Sequence, residues 1–403
     1  MSQWWRVALL GLAVLLLGGC TGGVQPTATA LPSMTATSAG GASAATLSAS
    51  STPHPATATS APPASPAATP VGAMCAPGVS FLGFSDALDK QQFQQTDIGG
   101  LSALVYDAQR EVYYALVDNE RETPARFYTL RFSLAGGQLS APQVTAVTTL
   151  RDTSGTPYTG RNFDGEGMAL LPDDTLLIAS ETEPAIRRFA LDGRQLAELS
   201  VPQRFLVAPR GEAQGNGTFE SLALTPNGQS FYTAVEEPLA PDGSASDGKN
   251  RLRILRYDRQ AGGTFTTGAQ FFYLAEAGQG VSDMAALNDQ ELLVLERGYV
   301  PLLGNTVRVY RVTLAGAADV SGEASLAVAG LTPVAKTLVF DLASCPPSGA
   351  RAHEPQPNPL LDNFEGLAIG PTLPDGRCAL VLVSDDNFSR VQTTRFIALA
   401  SQP

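Results

Sequence analysis

Carboxylates recur in this chain at a fixed place in a repeated pattern. Aligned on itself, the sequence gives Gly99-Gly-Leu-Ser-Ala-Leu-Val-Tyr, Asn162-Phe-Asp-Gly-Glu-Gly-Met-Ala-Leu-Leu-Pro, Gly217-Thr-Phe-Glu-Ser-Leu-Ala-Leu-Thr-Pro, Gly280-Val-Ser-Asp-Met-Ala-Ala-Leu and Asn363-Phe-Glu-Gly-Leu-Ala-Ile-Gly-Pro. Each copy carries an acid before a short apolar run: Glu166, Glu220, Asp283 and Glu365, with Ser102 in the first copy. A second apolar run follows and also ends in acid, at Asp118, Glu181, Glu236 with Glu237, Glu296, and Asp385 with Asp386. The two acids of a copy are 13 to 20 residues apart. Clustered carboxylate oxygens can hold Ca²⁺ without any histidine. Such ions clamp phosphate oxygens and activate water, while Arg or Lys holds a phosphoryl group. We therefore take Glu166, Glu220, Glu365 and Arg297 as candidate catalytic residues. The candidate metal ligands are Asp118, Asp164, Glu181, Glu236, Asp283, Glu296 and Asp385, and Arg121, Arg161, Lys249 and Lys336 are candidate phosphate holders.

Other chemistries fit the residues badly. The chain has two histidines, His54 and His353, and no Gly-x-Ser-x-Gly elbow, which argues against a Ser-His-Asp hydrolase and a zinc site. With 26 Lys and Arg against 38 Asp and Glu, it lacks the basic surplus that nucleic-acid binding requires. The repeated acids also have a structural reading, as acceptors for turn amides of the same or the next repeat.

The elements that must position these residues read as strands. Short β-rich runs such as Val112–Val117, Thr175–Ala179 and Ser230–Val235 alternate with turn signals at Pro172-Asp-Asp, Asp192-Gly, Pro226-Asn-Gly and Pro374-Asp-Gly. No helical periodicity runs beyond about two turns, so the spacing predicts antiparallel all-β architecture. The leading acid positions recur 54 to 82 residues apart, the size of a four-stranded propeller blade with variable loops. Residues 78–403 at about 54 per blade predict a six-bladed β-propeller, although five copies are legible. The sixth blade is expected between Glu296 and Glu365, or shared between the chain ends.

The strings Phe-Asp-Gly-Glu-Gly-Met-Ala-Leu-Leu-Pro-Asp, Phe-Glu-Ser-Leu-Ala-Leu-Thr-Pro-Asn-Gly, Leu-Arg-Ile-Leu-Arg-Tyr-Asp (252–258), Leu-Val-Leu-Glu-Arg-Gly-Tyr (293–299) and Asp-Asn-Phe-Glu-Gly-Leu-Ala-Ile-Gly-Pro resemble the phytase-like family, also described as "esterase-like activity of phytase". The resemblance runs in order from about Leu101 to Leu399. It implies hydrolysis of phosphate or ester substrates on a propeller. The Arg-Gly-Asp signature that resembles alkaline β-propeller phytases is absent. A non-catalytic propeller that binds a ligand, glycan or protein, with calcium purely structural, is the alternative.

The N-terminal segment reads as an address. Arg6 precedes 13 apolar or small residues, Val7 to Gly19, which are too few to span a bilayer as a stable helix. The run ends Leu-Gly-Gly-Cys20, similar to a bacterial lipobox, so 1–19 is read as a signal peptide and Cys20 as the lipidation site. From there to residue 77 the chain is uncharged and rich in Ala, Thr, Ser and Pro, a tether able to reach on the order of 100 Å. The expectation is an extracytoplasmic monomer, lipid-anchored to a cell or outer membrane. In that oxidising setting Cys75, Cys345 and Cys378 remain; Cys345–Cys378 is the preferred disulfide and Cys75 with either one its rival.

Overall fold

The computed structural model describes residues 73–119 and 122–402; the proposed signal peptide, Cys20, most of the tether and Arg121 lie outside the described residues. Apolar runs too short for helices and bounded by positive-φ turns become strands. Asp174 (φ 59°), Gly228 (φ 68°) and Gly376 (φ 83°) stand at the corners the Pro-Asp and Pro-Asn signals announced. Gly193 shows the constraint most sharply, because a Cβ there would lie 2.2 Å from the Thr149 carbonyl oxygen. Helix among the described residues is limited to three 3₁₀ turns, Ala135–Gly137, Gln203–Phe205 and Leu342–Ser344.

The strands form five antiparallel sheets, the blades of a β-propeller, and one two-stranded ribbon, Gln92–Phe93 with Thr96–Asp97. From the axis outward, blade I consists of Leu101–Asp107, Val112–Val117, Arg126–Arg131 and Gln143–Thr149. Blade II is Gly165–Leu170, Thr175–Ser180, Ala185–Ala190 and Gln195–Leu199; blade III is Ala223–Leu224, Ser230–Ala234, Lys249–Arg259 and Phe265–Ala277. Blade IV is Gly280–Ala286, Glu291–Val300, Gly304–Thr313 and Ala335–Asp341. Blade V takes Phe364–Thr372, Cys378–Ser384 and Phe396–Ser401 from the C-terminal end and Val79–Ser85 and Met74–Ala76 from the N-terminal end.

Blade V corrects the blade count from six to five. The interval between Glu296 and Glu365 holds the two outer strands of blade IV and long loops, and the chain ends complete blade V rather than adding one. Val79 pairs with Ser401 and Ser85 with Phe396, so the ring closes through backbone hydrogen bonds between the two ends. The sheet also begins at Met74, ahead of residue 78.

Packing explains why the strands read as near-continuous apolar runs instead of alternating ones. Each blade is covered on both faces by its neighbours, and Val112–Val117 is buried at every residue. Apolar layers fill the gaps between blades: Leu116, Phe127, Phe163 and Phe189 between I and II, Leu295, Phe364, Leu382 and Leu399 between IV and V, and Leu101, Leu104, Val381 and Phe396 between V and I. Outer strands such as Gln143–Thr149 keep polar, exposed positions.

The disulfide joins Cys75 to Cys345, and Cys378 is free, which replaces the preferred Cys345–Cys378 pairing. Cys378 opens the second strand of blade V, opposite Thr372 and Ser401. Cys75 lies on the edge strand of that blade, beside the 3₁₀ turn that leads into Cys345. The bond therefore staples the closing N-terminal strands to blade IV across 270 residues of sequence. In the chain-entropy model a loop of that length is worth about 5 kcal/mol. Cys75→Ser should lower the melting temperature by several degrees under non-reducing conditions and abolish its sensitivity to dithiothreitol, whereas Cys378→Ser should do neither; thermal denaturation with and without reductant checks both.

Candidate functional site

The inner strand of each blade starts, and the second strand ends, at the same mouth of the central channel. Backbone bonds from Asp118 N to Gly100 O, Glu181 N to Asp164 O, Glu236 N to Thr218 O and Asp385 N to Asn363 O mark one equivalent position in four blades, at 2.7 to 2.9 Å. In blade IV the residue at that position, paired with Gly280, is Arg297. On the inner strands, Leu104, Met168, Leu222, Met284 and Leu367 align, and two residues earlier stand Ser102, Glu166, Glu220, Ser282 and Glu365. The serine hydroxyls confirm the register: Ser102 Oγ donates to Gly165 O at 2.6 Å and Ser282 Oγ to Phe364 O at 3.4 Å, each the carbonyl just before the next blade's glutamate.

Blade IV thus departs from the sequence alignment by one residue, and a one-residue step reverses the direction of a strand side chain. Asp283, expected as a metal ligand, instead accepts from Met284 N at 2.8 Å and from Leu367 N of blade V at 2.7 Å. It fills the structural role of a turn-amide acceptor. Glu296 likewise leaves the mouth: it accepts from Tyr273 Oη at 2.5 Å, Glu276 N at 3.0 Å and Lys336 Nζ at 2.6 Å. Lys336 and Lys249 both pair with Glu276, so these two expected phosphate holders belong to a network between blades III and IV. Arg161 is largely exposed and pairs with Glu122.

What the mouth gathers is Asp118, Asp164, Glu166, Glu181, Glu220, Glu236, Glu365 and Asp385, with Arg297 the guanidinium among them. Asp118, Asp164 and Glu166 each offer a carboxylate oxygen within 4.8 Å of the others, as do Glu181, Glu220 and Glu236. Arg297 Nη2 stands 3.0 Å from both Glu236 Oε1 and Glu365 Oε1. Thr218 N donates to Glu181 and Asn363 Nδ2 to Glu365, at 3.0 and 2.9 Å.

Electrostatics follow from crowding in a desolvated place. Burial first, then the charge of Glu220, pushes Glu166 well above its ordinary value. Burial, then Glu181 and Glu236, does the same to Glu220. Burial and the Glu236 charge raise Glu181 to about 8, and burial, opposed by Arg297, raises Glu365 to about 7. Asp385 is pushed well up by burial and by Glu365. The donor set is all carboxylate oxygen, which suits a hard dication such as Ca²⁺. The buried Asp164 Oδ1 has no hydrogen-bond partner and fits the same conclusion.

Sequence reasoning missed a further set of residues. Arg126, Arg253 and Arg308 on the third strand of their blades, and Arg395 immediately before that of blade V, stand at one equivalent place, each followed by an apolar residue: Phe127, Ile254, Val309 and Phe396. Arg253 grips Asp242 at 2.7 and 3.0 Å, and Arg395 grips Asp86 at 2.7 and 2.8 Å. Arg126 Nη1 reaches Asn119 Oδ1, beside Asp118, at 3.2 Å. The recurring Arg-apolar pair was the available signal.

A β-propeller whose blades project carboxylates into one end of the axis is the class this geometry defines. The chain belongs to the phytase-like family, described as esterase-like activity of phytase, whose family model matches residues 96–388. No curated protein matches the chain. Among solved structures, it is similar to a tail fiber of Staphylococcus aureus phage P68, with 9% identity, TM-score 0.37, and coverage of 80% of this chain and 53% of that one. The chain thus spans about half the length of that fiber protein. It is also similar to a putative 6-phosphogluconolactonase from Bacteroides uniformis (14% identity, TM-score 0.34, 72% and 80% covered). A putative glucose dehydrogenase from Thermus thermophilus gives 14% identity, TM-score 0.33, and 75% and 83% covered.

The raised carboxylates fix the sign of a pH effect. Their folded-state affinity for protons exceeds the unfolded one, so the stability they contribute is present below the unfolded value near 4.5 and is lost as pH rises through about 7 to 8. In EDTA the melting temperature should fall across that window. Calcium should restore it most at the upper end, where the ligands are deprotonated. Differential scanning fluorimetry at pH 5 to 8.5 reads both trends; a calcium effect that is largest at pH 5 would contradict them.

Proposed function

We propose that this protein is a calcium-dependent hydrolase of phosphate or other esters, acting at the acidic mouth of the propeller and held at the extracytoplasmic surface by a lipid on Cys20. The observation that carries the reading is the convergence of Asp118, Asp164, Glu166, Glu181, Glu220, Glu236, Glu365 and Asp385 on one desolvated mouth containing Arg297. Structural acceptors for turn amides would each meet an N–H, as Asp283 does. Glu181 and Asp385 each also accept a backbone N–H, from Thr218 and Asn387, whereas Glu166 and Glu220 face chiefly other carboxylates.

When bound, the dication supplies charge neutralisation and Lewis acidity. The chain's own residues do the rest. Glu365, at about 7, titrates where a general base for water is most effective. Arg297 supplies a fixed positive charge for the oxygen on which negative charge develops in ester or phosphoester cleavage. Asn363 and the Thr218 amide hold the Glu365 and Glu181 carboxylates in place. Burial of the surrounding strands keeps these charges from being screened by bulk water.

Turnover of aryl phosphates, phytate and aryl acetates by the full chain, with calcium and with EDTA, tests the activity. Glu166→Gln with Glu365→Gln should reduce turnover at least about 100-fold. The melting temperature in EDTA should hold or rise, because two desolvated, mutually repelling acids are removed. Absence of EDTA-sensitive turnover on all three substrates would leave the mouth a binding site only. For the anchor, Cys20→Ala should move the protein from the membrane fraction to the soluble extracytoplasmic fraction; retention in the membrane fraction counts against lipidation.

A further inference from the structure

The connection between the second and third strands of blade IV is unlike its counterparts. Pairing between these two strands ends at Leu116, Ser180, Ala234 and Val383 in the other blades, just short of the mouth position. In blade IV it continues past Arg297, through Gly298 with Thr306, Tyr299 with Asn305 and Val300 with Gly304, about 10 Å further. The hairpin ends in Val300-Pro-Leu-Leu303, where Val300, Leu302 and Leu303 are 52%, 84% and 67% exposed. No charge occurs from Gly298 to Val307, whereas the corresponding connection carries at least two charged residues in each of the four other blades.

The backbone holds this apolar tip outward at a cost. Leu303 N donates to Val300 O at 3.0 Å and Leu302 has φ 68°, a turn with proline second and a left-handed third residue, the place glycine ordinarily fills. A leucine there keeps strain that glycine would relieve, and strain kept at an exposed apolar residue calls for an occupant. Tyr299 Oη donates to Glu354 Oε2 at 3.3 Å and Asn305 N to Gln356 Oε1 at 2.7 Å, so the loop 354–356 braces the hairpin. Pro301 has no N–H and the Leu303 N–H is satisfied inside the turn, which lowers the cost of taking the tip out of water.

We propose that this tip enters the interface of a lipid bilayer and so turns the mouth of the propeller toward the membrane surface. A convex tip needs a matching pocket on any protein partner, whereas a fluid bilayer closes around it and takes its side chains into the acyl boundary. The choice of a bilayer rests on the anchor reading, in which residues 21–72 leave the domain within reach of the membrane that holds Cys20. It takes nothing from the hydrolase reading. The chain has 38 acids against 26 bases and no Lys or Arg between Gly298 and Val307, so the attraction is hydrophobic and zwitterionic lipid suffices.

The two tryptophans of the chain, Trp4 and Trp5, lie in the proposed signal peptide, so Val300→Trp supplies a reporter read against the wild-type chain. With the full chain in an excess of phosphatidylcholine vesicles, its emission should shift to the blue and lose at least about half its intensity to lipids brominated on the acyl chains. A Gln290→Trp reporter, exposed at the opposite end of blade IV, should do neither. Adding Leu302→Ser and Leu303→Ser to the Val300→Trp chain should abolish the shift and the quenching without lowering the melting temperature, because both side chains are exposed. A Val300→Trp reporter that stays in water overturns the proposal, as does an equal signal with and without the leucines, or equal quenching of Gln290→Trp. Vesicles in excess present the bilayer whether or not Cys20 carries lipid, so failure of the anchor reading shows separately, in the fractionation of Cys20→Ala.

Discussion

The desolvated repulsion among the mouth carboxylates is the interaction on which the rest of the structure depends. Each blade by itself is a marginal sheet of four or five strands, and pressing the starts of the inner strands together at the axis forces like charges into a place with little water. Three things oppose the resulting outward pressure. Arg297 ties Glu236 to Glu365 across blades III, IV and V. Burial and mutual repulsion raise the proton affinity of the acids, Glu181 to about 8 and Glu365 to about 7. The apolar layers between blades and the closure of blade V by both chain ends supply the remaining restraint.

The third-strand arginines carry that restraint to the loops. Arg253 and Arg395 are fully buried, and each makes a bidentate contact with a single aspartate on a loop at the mouth end of its blade. A buried pair of this kind is a poor source of net stability, but losing one partner leaves an uncompensated charge. Its value here is positional: Arg395 also binds the Pro359 carbonyl, on the segment that leads into Asn363 and Glu365. Arg126 does the same beside Asp118 through Asn119. The acids thus sit on rigid strand ends whose flanking loops are tied from behind, as a preorganised site requires.

How much of this could be read from the sequence depended on whether a residue obeyed the repeat. The propeller class, the Pro-Asp corners and the acids of blades II, III and V follow from local pattern alone, because those copies keep the same spacing from acid to apolar run. Blade IV kept an acid but moved it by one residue, and nothing local distinguishes Ser282-Asp283 from Phe219-Glu220 without the strand pairing that sets the face. Glu296 was misplaced for the same reason, its neighbour Arg297 being the residue that points to the mouth. The blade count and the disulfide were illegible because both depend on Met74–Ser85 crossing to blade V, a pairing separated by most of the chain.

Repetition and its failure therefore carry different information. Residues that recur in nearly every blade, such as the third-strand arginines and the apolar residues aligned with Leu222, answer demands that every blade has: packing, closure and support. A carboxylate needed only for folding should recur with them and meet an N–H, as Asp283 does between blades IV and V. The mouth instead is asymmetric. Blades II, III and V each bring two or more acids to it, serines stand on the inner strands of blades I and IV, and one arginine takes an acid's place in blade IV. No requirement of a five-fold scaffold produces that distribution, and a symmetric ring would be easier to pack. The ligand site proposed for the mouth accounts for it.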